Sequence, residues 1–172
     1  MIIKILDWGA DLAFSIAKRI PIIGKHFTEE LIRFLIIGTS AFIINFVIYQ
    51  STLALVENLI DTNDDFTRAL VVGLPFLLAY VVAFLFNFYM SKKWTFKDVS
   101  PQTGTQAIKF FSVNTFNAIS GVVVIALLDN IGIIPLIGHP MFIATEAIWS
   151  FLLYKFWVFK EVKVTDMPNP IG

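Results

Sequence analysis

The chain has 172 residues, of which 57% are hydrophobic and 15% charged, with a mean hydropathy of +0.77 and a formal net charge of zero. Soluble domains carry about 25% charged residues, so this composition belongs to the membrane class, and zero net charge removes any bulk attraction to nucleic acid. Cysteine is absent, which excludes a disulfide framework or thiolate site, and His26 and His139 form no metal-ligand spacing.

Residues 1–28 read as an N-terminal amphipathic segment. Lys4, Asp7, Asp11, Ser15 and Lys18 recur every three or four residues and share one helical face, while Ile5, Trp8, Leu12 and Ile16 fill another. That pattern suits a helix lying in the cytoplasmic interface and ended by Pro21 and Gly24; docking on the protein itself is the alternative. Charges interrupt the apolar run and no small-residue cleavage site follows, unlike a cleavable signal peptide.

Residues 29–160 hold four apolar segments, each near the ~20 residues that a membrane-spanning helix needs. They fall at about Leu31–Val56, Ala69–Met90, Phe110–Leu128 and Met141–Val158. The connector Glu57–Arg68 is acidic, Ser91–Lys109 is basic, and Asp129–Pro140 is rich in Gly and Pro. All of the 13 basic residues except Arg68 lie outside the first and third connectors. Lys and Arg gather in cytoplasmic loops, which places both termini, the Ser91–Lys109 connector and the 161–172 tail in the cytoplasm.

Two segments end in the same words. Lys92, Trp94, Phe96 and Lys97 are repeated as Lys155, Trp157, Phe159 and Lys160. Arg33-Phe34 likewise opens the first segment as Lys109-Phe110 opens the third, and on that register Gly38, Ala41 and Asn45 match Asn114, Asn117 and Gly121. The sequence therefore predicts an all-α membrane protein of four transmembrane helices, built as two parallel two-helix hairpin repeats related by an axis along the membrane normal. Trp94 and Trp157 would be interface anchors among the headgroups, with the lysines reaching water or lipid phosphate.

RFLIIGTSAFIINFVIY, AYVVAFLFNFYMSKKWTF, IKFFSVNTFNAISGVVVIALL and SFLLYKFWVF together resemble the GtrA-like family, over roughly Glu29 to Lys160. Two positions break the internal symmetry: Ser150 stands where the first hairpin has Asn87, and Tyr154 where it has Ser91. The resemblance implies a role in cell-surface polysaccharide synthesis at a prokaryotic plasma membrane. Its members are thought to move polyprenyl-phosphate-linked sugars across the bilayer, or to anchor a partner glycosyltransferase. A related four-helix module is fused to dolichol-phosphate-mannose-synthase-like enzymes as an anchor.

Two groups of residues carry candidate chemistry. Glu146 is the one carboxylate inside a predicted span, and intramembrane charges are functional by default. It shares a face with Ser150, and its alternatives are a proton-linked or hydroxyl-binding group, a neutral carboxyl bonded to a neighbour such as Asn117, or a carboxyl that reaches the outer interface. Asn45, Asn87, Asn114 and Asn117 should point away from lipid, as interhelical glue or as a polar path for a sugar headgroup. Arg33, Lys92, Lys93, Lys109, Lys155 and Lys160 would form a basic cytoplasmic ring. That ring reads either as a phosphate-binding site, with Arg33 the best fork, or as a topology signal in contact with anionic lipid. No nucleophile–base pair, phosphate loop or metal cluster is visible, so neither an enzyme nor a cofactor is expected. Four thin helices leave little room for a lipid-linked headgroup, which points to a homo-oligomer or a complex with a membrane glycosyltransferase. A small exporter is a weaker third reading.

Overall fold

The computed structural model describes residues 3, 6, 7, 10, 11, 25–60, 64–132 and 135–160, and among these it is helical, with no strand. The helices are α1 (Lys25–Glu57), α2 (Asp65–Met90), α3 (Thr103–Asn130) and α4 (Pro135–Leu153). α2 and α4 each continue into a π turn, Ser91–Thr95 and Tyr154–Val158. The chain divides into two compact units, Met1–Thr95 and Phe96–Gly172.

In the first unit α1 and α2 run antiparallel: Arg33 meets Trp94 at one end, while Tyr49 meets Phe76 nearer the turn. The turn is made locally. Val56 O accepts from the Leu59 and Ile60 amides, and Asp64 caps α2 by accepting from the Thr67 amide at 2.9 Å. The cap holds the Asp64 carboxyl below its ordinary value. Phe34, Ile37 and Ala41 form the buried stripe of α1, and Val71, Pro75, Ala79 and Ala83 that of α2. Spacings of three and four keep each set on one face, and the small residues let the backbones come close. α2 runs unbroken through Pro75.

The second unit repeats the plan. Asn114 meets Tyr154, Asn117 meets Ser150 and Gly121 meets Phe142, so α3 and α4 are also antiparallel. Phe110, Val113 and Asn117 are its buried stripe, in the register of Phe34, Ile37 and Ala41. Each unit thus buries one three-and-four-spaced face of its first helix.

Three helical stretches, Glu29–Glu57, Asp65–Thr95 and Thr103–Leu128, are long and apolar enough to cross a membrane. At most 22% of the most apolar window of any of them is buried within the molecule. Large residues such as Phe42, Leu74 and Val122 face outward, an inversion of the soluble pattern that suits lipid. Ser40, Thr52 and Ser112 turn their hydroxyls back on carbonyls four residues earlier, so no polar side-chain atom is left to the apolar surround at those positions. The fourth expected span, Met141–Val158, falls on α4 and the second π turn.

Two boundaries differ from the sequence expectation. α3 begins at Thr103, two turns before Phe110, because the connector folds onto itself first: Asp98 accepts from the Ser100 amide and the Gln106 side chain, and Ser100 Oγ from the Gln102 amide. α2 and α4 end in π turns rather than plain α-helical exits. The expected interfacial helix lies mostly outside the described residues; Ile3, Leu6, Asp7, Ala10 and Asp11 are the members described, all helical.

Candidate functional site

Each unit closes its helix pair in the same way. A π turn shifts the hydrogen-bond register by one residue, and such turns often occur at functional places. In the first unit Arg33 donates from Nη1 to Trp94 O at 3.3 Å and lies 4.8 Å from the centre of the Trp94 ring. In the second, Lys109 Nζ donates to Trp157 O at 3.4 Å and lies 5.6 Å from the Trp157 ring. A basic residue about two turns into one helix therefore binds the tryptophan in the π turn that closes the next, by both charge and cation–π attraction. The adjoining Phe34 and Phe110 are buried; Phe110 stacks on Tyr154 at 4.4 Å.

The first end has an extra partner. Trp94 Nε1 donates to Asp7 Oδ1 at 2.7 Å, and the same oxygen lies 3.9 Å from Arg33 Nη1. A residue of the N-terminal segment so completes a three-membered group, and Trp94 is only 5% exposed. Trp157, at the matched position, is 45% exposed, and among the described residues no acidic side chain bonds it or Lys109.

Between α3 and α4 lies an open groove of about 770 Å³, lined by Asn114, Asn117, Gly121, Phe142, Glu146 and apolar neighbours. Three of its polar groups are positioned by helix pairing. Asn117 Nδ2 donates to Ser150 Oγ at 2.6 Å, Asn114 Nδ2 donates to Tyr154 Oη at 2.9 Å, and Glu146 interacts with the Asn117 side chain. Asn117 is 6% exposed, yet its Oδ1 is buried with no hydrogen-bond partner. A buried acceptor without a donor is costly, so this oxygen would gain from any donor that reached it.

The other expected residues scatter. Asn87 accepts from Ser91 within its own helix, at 3.1 Å. Asn45 is half-buried on α1. Lys92 is 3% exposed, whereas Lys93 is exposed and Lys155 intermediate. The helix pairing thus brings together Asn114, Asn117, Glu146 and Ser150, and places Arg33 and Lys109 at two separate tryptophans. Sequence reading missed Asp7 and Tyr154 as members of these groups. The polar stripe containing Asp7 was a signal for the first; for Tyr154 only its replacement of Ser91 in the repeat pointed there.

The model of the GtrA/DPMS transmembrane domain matches residues 33–159. Its limits fall on Arg33 and on Phe159, whose amide closes the second π turn on Tyr154 O. No curated protein and no solved structure matches the chain.

Proposed function

Because the chain belongs to the GtrA/DPMS transmembrane-domain family, we propose that it carries a polyprenyl-phosphate-linked sugar across a prokaryotic plasma membrane, for cell-surface polysaccharide synthesis or glycosylation. On this reading both termini face the cytoplasm, and residues 1–28 lie in the interface. The role is that of a carrier, not an enzyme. Basic residues at the π-turn ends receive the lipid phosphate, and the sugar follows a polar wall made by Asn114, Asn117, Glu146 and Ser150.

The observation that carries this reading is the groove between α3 and α4, where Asn117, whose Oδ1 has no hydrogen-bond partner, stands beside Glu146. Two acceptors side by side suit a ligand with neighbouring hydroxyl donors, which a sugar headgroup offers and a plain lipid tail does not. An apolar groove floor suits the adjoining polyprenyl chain. The test is reconstitution of the purified protein in liposomes with a lipid-linked sugar, scored by loss of headgroup protection from a membrane-impermeant reagent. Protection unchanged by the protein, at verified insertion, would overturn the carrier reading.

The exposed Trp157 and Lys93 favour a second reading, in which the module recruits a membrane glycosyltransferase without transporting. Under that reading Glu146→Gln and Asn117→Leu would still restore surface glycosylation fully in a deletion strain at matched membrane abundance; under the carrier reading both would restore it more slowly than the unmodified protein.

A further inference from the structure

The two π-turn ends are one arrangement in two states. Each joins a cation to the carbonyl and ring of a tryptophan, Arg33 to Trp94 and Lys109 to Trp157. At the first, the cation and the indole N–H converge on a single carboxylate oxygen of Asp7, at 3.9 Å and 2.7 Å. The chain thereby displays what this arrangement binds: an oxyanion held by one positive charge and one indole donor. At the second, cation and ring are in place, the tryptophan is nearly half exposed, and among the described residues its Nε1 has no acceptor.

We propose that the Lys109–Trp157 end is an open binding site for the phosphate of a membrane lipid, and that Asp7 is the built-in occupant that keeps the equivalent Arg33–Trp94 site closed. Phosphate fits the open end for three reasons. Lys109 and Trp157 lie at the open end of a helix pair whose α3 is long and apolar enough to cross a membrane, where lipid phosphates are concentrated. Lys160, exposed just beyond the same π turn, adds charge that a phosphate uses better than a carboxylate. The indole donor supplies direction that lysine, a point charge, lacks. This moves phosphate capture from Arg33, the stronger fork, to the weaker cation that stands unfilled. The proposal rests on the carrier reading only for calling the lipid a substrate; the site itself requires no transport.

The experiment follows the indole N–H signals of the full-length, ¹⁵N-labelled protein in neutral phosphatidylcholine nanodiscs, each signal assigned by a Trp→Phe variant. Short-chain phosphatidic acid, inorganic phosphate and short-chain phosphatidylcholine are the three probes. Phosphatidic acid is expected to shift Trp157 and leave Trp94 in place. In Asp7→Asn, Trp94 should shift as well. Lys109→Met should weaken the Trp157 response at least tenfold, while Lys109→Arg should retain it, which separates loss of the cation from loss of the turn. A response to inorganic phosphate as strong as to phosphatidic acid would support the anion site with a soluble source; a response to phosphatidic acid alone would support the lipid. Equal shifts with phosphatidylcholine, or no shift of Trp157 with either phosphate probe, would overturn the site. A Trp157 signal that ignores phosphate but moves in Glu161→Gln would give the position to a carboxylate of the chain and overturn it too. A Trp94 response in the unmodified protein would overturn the closed state. Binding without headgroup translocation in liposomes would sink the carrier reading and leave this site standing.

Discussion

Among the described residues, the first helix pair meets through small and aromatic side chains; the second meets through amides and hydroxyls beside an open groove. On the repeat register Ala41 faces the role of Asn117, Ala83 that of Glu146 and Gly38 that of Asn114. Ala41 and Ala83 are buried without polar demands, and Tyr49, Phe76, Tyr80 and Phe84 run as a contiguous aromatic ladder along the first pair. At the matched places the second pair holds side-chain hydrogen bonds, an unsatisfied oxygen and a groove. The frame is shared and the filling is not.

The difference at the closed end is the easiest to break. Trp94→Phe deletes the indole donor to Asp7 and is expected to release the N-terminal segment by about 1.5 kcal/mol, the low end for a hydrogen bond to charge because Asp7 is partly in water. Hydrogen exchange around Asp7 should rise, while Trp157→Phe leaves it unchanged. Equal effects of the two would erase the distinction between the ends.

Glu146→Gln probes the open groove. It keeps size and hydrogen bonding but removes the ionisable group, and is expected to slow headgroup translocation about tenfold, or ~1.4 kcal/mol of barrier, with little change in phosphate capture. Ala83→Gln, its mirror in the first pair, should alter stability rather than the response to substrate.

Asn117→Leu removes the bond to Ser150 and the unsatisfied oxygen together. Its cost in thermal stability should be small, since membrane hydrogen bonds average ~0.6 kcal/mol and the lost acceptor had no partner. A large loss of stability with full transport would recast Asn117 as glue.

Gly121→Ala is of similar size. A Cβ there would stand 3.0 Å from Phe142 Cε1, the far edge of a ring that can swing aside, so the groove should narrow with under about 1 kcal/mol of strain. The smallest effect concerns the Asp64 cap. Hydrogen bonds to the Thr67 side chain and amide lower its carboxyl, so its contribution is complete above the ordinary carboxylate value and lost as pH falls below it. Amide protection in the first turn of α2 should decline only in that acid window, and Asp64→Ala should abolish the decline.

Sequence alone determined the membrane class, the long apolar helices and the register of the repeat. Each follows from quantities local to a helix: hydropathy over about 20 residues, and the three-and-four spacing that sets Phe34, Ile37 and Ala41 on one face and Phe110, Val113 and Asn117 on another. It also picked out Arg33, Lys109, Asn114, Asn117, Glu146 and Ser150, because charges and amides in apolar segments stand out by type. Tertiary structure decided what each of them touches. That Asn117 spends its amide on Ser150 and strands its oxygen, that Asp7 binds Trp94 across 87 positions of chain, and that π turns present the tryptophan carbonyls to Arg33 and Lys109 all depend on how two helices align. Helix periodicity places a residue on a face; only the packing of a second helix sets its partner, and with it the difference between a closed end and an open one.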